Sequence, residues 1–220
     1  RFYETRWIDN ETGECDEAAY QAAVQYPFGY GLSYTTFDQK IEDFTDDGTT
    51  ITMKVQVTNT GSTAGKTVVQ VYDTPPYTVG GIEKSHVNLM AFTKTSLLEP
   101  GASETVELSF THEDMASYDY SGIKAAGGAY VLEAGDYQIK LMNNAHDVID
   151  SRTVTIDRDY IYNDTNDGPR STDSIAAVNR FDDMTNGENV TWVSRADWEG
   201  TMPTQRMPQS REASQTIIDA

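Results

Sequence analysis

A single cysteine, Cys15, stands in 220 residues. It excludes an internal disulfide framework and any cysteine-based zinc finger. Basic residues are also scarce: 16 Lys+Arg face 35 Asp+Glu, for a formal net charge of −19. So acidic a chain repels phosphate backbones and anionic lipid, which argues against nucleic acid and membrane surfaces as partners. Apolar runs are only a few residues long, too short to span a bilayer. The N-terminus lacks the basic and apolar regions of a secretory signal. It also begins with Arg, so we expect a fragment of a longer protein, and cytoplasmic and secreted locations both stay open. The length suits one ordinary domain plus an extra segment. It is too short for a whole (β/α)₈ barrel beside another domain, since the barrel alone takes roughly 250 residues.

What is present divides the chain in three. All seven lysines fall between Lys40 and Lys140. In the central segment, residues 49–59 alternate strictly: Ile51, Met53, Val55 and Val57 against Thr52, Lys54, Gln56 and Thr58. A period of two predicts a half-buried strand. Asp46-Asp47-Gly48 before it and Asn59-Thr60-Gly61-Ser62 after it read as turns. Further strands are expected at 67–72, 88–98, 103–110, 129–132, 135–142 and 148–156. Glu99-Pro100-Gly101 reads as a turn and Gly135-Asp136 as a hairpin signal. About seven strands spaced near ten residues, with no helical period between them, predict an all-β, antiparallel β-sandwich. Its expected core is Ile51, Met53, Val55, Val57, Val69, Val71, Phe92, Leu108, Phe110, Tyr137 and Ile139. The missing Cys…Trp…Cys pattern excludes an antibody-type sandwich and leaves a fibronectin type III-like arrangement as the nearest class.

Residues 26–37, YPFGYGLSYTTF, resemble the signature that joins the second catalytic domain to a fibronectin type III-like domain in glycoside hydrolase family 3, the β-glucosidase family. The runs VQVTNTGSTAGKTVVQVY, LMAFTKTSLLEPGASETVELSF, HEDMASYD and LEAGDYQIKLMNN follow the family's strands in order, so the resemblance covers roughly residues 20–156. Residues 1–5, RFYET, resemble the end of that catalytic domain, and residues 16–24 suit a short helix. The stretch SRADWEGTMPT, 194–204, resembles a connector that leads into the barrel in family members of swapped domain order. The resemblance thus implies three parts: 1–25 as the end of a catalytic domain or a connector, 26–157 as the sandwich, and 158–220 as an extended connector. It implies a parent enzyme that cleaves β-glucosides or related glycosides with two carboxylates, one acting as nucleophile. This chain alone would be a non-catalytic accessory module, partnered by catalytic domains of the same parent chain and meeting carbohydrate only through them.

The residues themselves nominate no catalytic group, cofactor site or metal site. With 35 acids, a chance carboxylate pair is easy and proves nothing. Asp197, in Ser194-Arg195-Ala196-Asp197-Trp198, is spaced unlike the family's Ser-Asp-Trp nucleophile motif, and no barrel is present to hold it. His86, His112 and His146 lie in different predicted loops, and His112-Glu113-Asp114 reads as a capped turn. Two acidic stretches begin like calcium loops, but their twelfth positions are Lys54 and Ile175. The Gly pairs 80–81 and 127–128 lack the strand–loop–helix setting of a phosphate cradle. Glycosylation triplets at Asn10, Asn163 and Asn189 matter only in a secreted protein.

Contact residues are easier to nominate. Residues 73–87, DTPPYTVGGIEKSHV, form the longest irregular stretch within the sandwich, and such loops are usually functional or disordered. Tyr77, Ile82, Glu83 and Lys84 are its candidates for contact with a catalytic domain near the cleft. The tail after Ile156 loses alternation but keeps Tyr160, Tyr162, Phe181, Trp192 and Trp198. Trp192 and Trp198 are candidates for docking on a partner domain or for stacking on sugar. The rival function is a free-standing carbohydrate-binding or adhesion module. That class usually shows an aromatic strip on an exposed sheet face, whereas the clearest strand here presents Thr, Lys and Gln.

Overall fold

The computed structural model describes residues 18, 24–180 and 194–195. Ten strands follow in order: β1 Phe37–Asp46, β2 Thr50–Asn59, β3 Val68–Thr74, β4 Asn88–Lys94, β5 Ser103–Thr111, β6 Ser117–Asp119, β7 Ala129–Leu132, β8 Gly135–Met142, β9 Val148–Ile156 and β10 Tyr160–Tyr162. Seven of them build two antiparallel sheets, β1-β2-β5 and β4-β3-β8-β9, and the short β10-β7-β6 form a third. The fold is therefore the all-β, fibronectin type III-like sandwich. No helix among the described residues is long and apolar enough to cross a membrane.

The alternation in β2 does what its period requires. Ile51, Met53, Val55 and Val57 are fully buried, and across the core stand Val69 and Val71 of β3 and Tyr137, Ile139 and Leu141 of β8. The β1–β2 turn is held by side chains. The Asp46 carboxylate accepts the Gly48 N–H, and that of Asp47 accepts those of Thr49 and Thr50. These backbone donors hold the exposed Asp47 carboxyl below its ordinary pKa. Gly48 and Gly101 sit at φ +87° and +79°, which only glycine adopts at little cost.

Four expectations need correction. The strand β1 was not expected, because a bulge between Ile41 and Asp43 breaks its period. Ile41 and Phe44 both turn inward at a spacing of three, while the bulged Glu42 accepts hydrogen bonds from Gln56 and Thr105. Phe92 is not core but 69% exposed. An irregularity in the β3–β4 pairing turns Met90 and Ala91 to the core and sets Phe92 opposite Gln70 on the outer face. Gly135-Asp136 opens no β7–β8 hairpin, because β7 pairs with β6 and β10 while β8 pairs with β3 and β9. Finally, the sandwich does not stop at residue 157. Tyr160–Tyr162 pair with β7, Tyr162 enters the core, Arg170 stacks on the Tyr130 ring, and Ser171 bonds Glu113. Lost alternation signalled only a short edge strand.

Candidate functional site

Two surfaces gather the residues with unusual chemistry. The first is the loop after β3. Pro75 and Pro76 end the strand, and Pro76 packs so closely on Gly135 that a Cβ there would lie 3.1 Å from its Cγ. The Gly81 N–H donates to the Thr78 carbonyl (2.8 Å) to reverse the chain, and Ile82 anchors the return at 1% exposure. At the loop base, Asn88 donates to the buried Asp73 carboxylate (3.0 Å).

Tyr77 and Glu83 meet the distant residues 194 and 195. Glu83 Oε1 accepts from Tyr77 Oη (3.1 Å) and Ser194 Oγ (2.5 Å), and its Oε2 accepts the Arg195 N–H (3.0 Å). The Arg195 guanidinium lies 3.9 Å over the Tyr77 ring and reaches the Lys84 carbonyl and His86 Nδ1, both at 3.5 Å. Lys84 turns the other way, its side chain buried against Glu133. Glu133 also pairs with Lys124 (3.5 Å), which pairs with Asp159 (2.6 Å). Of the four loop candidates, Ile82 and the Lys84 side chain are both buried within this module. Trp192, Trp198 and Asp197 lie outside the described residues, as do Cys15 and nearly all of residues 1–25.

Two titrating groups beside this loop have opposed shifts. Burial raises Asp73 to about 6, against the pull of Asn88 and Lys84. Burial lowers His86 to about 4, helped by the charges of Arg195, Lys140 and His146. Asp73 therefore contributes stability that is present below its unfolded value of 3.8 and is lost as pH rises through about 6. His86 contributes stability that is present above 6.5 and is lost as pH falls through about 4. Between pH 4 and 6 the two slopes oppose, each spanning roughly 1–3 kcal/mol. The expected result is a nearly flat stability profile across that window. In urea melts at stepped pH, Asp73→Asn should make stability rise with pH and His86→Asn should make it fall. The same slope in both variants would refute the assignment.

The second surface was not nominated from the sequence. Residues 26–36 are fastened at two places: Phe28 and Gly29 against β3 and the turn after β8, and Thr35 and Thr36 at the end of β2. Gln70 donates to the Gly29 and Asn143 carbonyls, both at 3.0 Å, and accepts from Tyr72 Oη (2.7 Å), while the Ala145 N–H donates to the Phe28 carbonyl (2.9 Å). Gly29 sits at φ +80°, so close that a Cβ would lie 2.3 Å from Gln70 Oε1. Further along, Thr35 Oγ1 donates to Asn59 Oδ1 (2.7 Å). Asn59, fully buried, also accepts the Gly61 N–H and donates to the Thr63 and Leu98 carbonyls. The backbone is thereby pinned, yet Tyr26, Phe28, Tyr30, Leu32 and Tyr34 all remain exposed, Leu32 at 85% and Tyr34 fully. Phe92, opposite Gln70 in register, adds to the same outer face. The signal was there to read: an apolar side chain at every second residue from 26 to 34, in a stretch without strand pairing.

Among the described residues, no three His, Cys, Asp or Glu side chains gather as metal ligands. His112 bonds Asp46 (2.8 Å) beside the Thr111–Asp114 cap, while His86 and His146, though separate in sequence, lie close enough to interact electrostatically.

The fold defines a fibronectin type III-like module. Comparison with known proteins agrees. Residues 67–145 match the family model of the fibronectin type III-like domain. The chain is 49% identical over 115 residues to a β-glucosidase of Ruminococcus albus, covering 52% of this chain and 12% of that one. It is 42% identical over 139 residues to β-glucosidase A of Butyrivibrio fibrisolvens, covering 56% and 16%. Among solved structures it resembles β-glucosidase 3B of Thermotoga neapolitana in complex with α-D-glucose, with a TM-score of 0.55, 36% identity, and coverage of 63% of this chain and 18% of that one. The chain carries a fibronectin type III-like domain of the kind found in family 3 β-glucosidases, and spans less than a fifth of the length of these relatives.

Proposed function

We propose that this chain is the non-catalytic accessory module of a family 3 glycoside hydrolase and braces the catalytic domains of the same parent chain. The parent's reaction, by analogy with the β-glucosidases it resembles, is retaining hydrolysis of a β-glucoside or related glycoside by two carboxylates. Carbohydrate reaches the module only through those domains, and nucleic acid and membrane are not partners. The observation that carries this reading is the pinned segment 26–36. A backbone held by Gln70 and Asn59 while five apolar side chains face water is costly in isolation, at roughly 25 cal/mol per Å² of apolar area. It makes sense as one half of a contact.

Two results test the proposal. The chain alone should not turn over a chromogenic β-glucoside; turnover abolished by Asp197→Asn would overturn the non-catalytic assignment. In the full-length enzyme, Leu32→Ser with Tyr34→Ser should lower the melting temperature or raise KM by about threefold or more, as loss of a packed contact does. The same pair in the 220-residue chain should leave melting unchanged, because both side chains are already in water. No effect in the full-length enzyme would sink the bracing role. The carbohydrate-binding alternative draws less support: the Tyr26 and Tyr30 rings, 5.2 Å apart, are tilted by 48° and present no flat platform to a sugar. Binding of this chain on a glycan array would favour that alternative.

A further inference from the structure

Arg195 is 6% exposed, yet its polar surroundings are supplied by a loop more than 100 residues earlier in the chain. A buried guanidinium is tolerated only when it is paired and its donors find acceptors. Here the guanidinium meets the Tyr77 ring, the Lys84 carbonyl and His86 Nδ1, while the backbone N–H of Arg195 meets Glu83, all within residues 77–86. Their order matches a dipeptide. The Glu83 carboxylate takes the Ser194 hydroxyl with one oxygen and the Arg195 backbone N–H with the other. The Arg195 Cζ sits 3.9 Å from the centre of the Tyr77 ring, a cation–π contact. His86 is neutral at physiological pH, and with Nδ1 facing Arg195 its ring accepts where a charged ring would repel.

We infer that residues 77–86 form a Ser-Arg latch, an intramolecular receptor that clamps Ser194-Arg195 and so fixes the place of this dipeptide on the module. A dipeptide held at one point raises the effective concentration of one arrangement of the parts it joins. This purpose rests on the accessory-module reading, but the latch itself is measured without any glycosidase assay, so either can fail while the other stands.

The latch makes Arg195 a protected tryptic site. Arg180, exposed at the end of the main described segment, serves as reference. Limited trypsin digestion of the full 220-residue chain, followed by mass spectrometry, gives the ratio of cleavage after Arg195 to cleavage after Arg180. In the wild type Arg195 should be cut at least about tenfold more slowly, since cleavage requires local opening. Glu83→Ala should raise the ratio about tenfold and Ser194→Ala about threefold, in proportion to the hydrogen bonds removed. Cleavage after Arg152, inside β9, reports global unfolding. Should Glu83→Ala also release that site, Ser194→Ala, which leaves the loop intact, decides alone. The latch is overturned if wild-type Arg195 is cut as fast as Arg180. It is overturned equally if Ser194→Ala leaves the ratio unchanged.

Discussion

Val55→Asp is expected to leave the chain unfolded in buffer at room temperature. Val55 is fully buried at the centre of β2, paired with Ile41 on one side and Val106 on the other. Among the described residues the core cluster that contains Val55 is built of apolar side chains and Tyr, including Ile41, Met53, Val57, Val69 and Val71, and offers no cation to the new carboxylate. A lone buried carboxylate either stays charged in low dielectric or binds a proton at a large pKa cost. The loss should reach about 5 kcal/mol, comparable to the whole stability of many single domains. The control is Gln56→Asp, one residue on, whose side chain faces outward and which should melt near the wild type. If the two variants exchanged behaviour, β2 would be out of register by one residue, with every side chain on the wrong face. Circular dichroism melts of both proteins make the measurement.

Asp119→Asn should be the second largest loss, although it changes one atom. The carboxylate of Asp119 is fully buried at the end of β6 and organises the loop after it. Oδ1 accepts the Ile123 N–H (3.0 Å), while Oδ2 accepts those of Lys124 (2.7 Å) and Ala125 (3.0 Å). An amide supplies only one oxygen, so its NH₂ must face at least one backbone N–H, donor against donor. Leaving buried backbone donors without acceptors costs about 1–3 kcal/mol for the set, and the lost charge on the retained bonds adds to it. An expected total near 3 kcal/mol lowers the melting temperature by roughly 10 °C or more. The change should also be felt at the loop after β3, because Lys124 links this turn to Glu133 and, through it, to Lys84. Faster tryptic release at Arg195 in Asp119→Asn would show that transmission. A variant melting within about 2 °C of the wild type would mean that the loop is held by something other than this carboxylate.

How far each feature could be read in advance depended on whether its signal was local. The Ile51–Val57 alternation, the Asp-rich turn closed by Gly48 and the Pro100-Gly101 turn all carry their cause within a few residues, and each formed as its pattern implies. The residues 26–37 likewise announced the class of module through their resemblance to a family signature. The irregular loop after β3 was also visible, from two prolines and two glycines in a stretch too long to be an ordinary connection.

Pairing was not local, and there the sequence was silent or misleading. The bulge in β1 hid Ile41 and Phe44 from a period-two reading, because an unpaired residue shifts every later side chain to the other face. Phe92 carried the composition of a core residue, but the irregular β3–β4 register decided that it would face water. Tyr162 looked like part of a tail until β7 offered its edge. The partners of Glu83 could not be found from its neighbourhood, since a carboxylate's choice of donors is made in space by whichever chain passes within 3 Å. The sequence by itself determined a sandwich, the wet and dry faces of its clearest strand β2, and the turns at Gly48 and Gly101, because side-chain alternation and backbone preferences act over a few residues. Tertiary structure alone decided which strands are neighbours, which aromatics stay outside, and that residues 77–86 receive Ser194 and Arg195, because those outcomes depend on the register and approach of segments up to 112 residues apart.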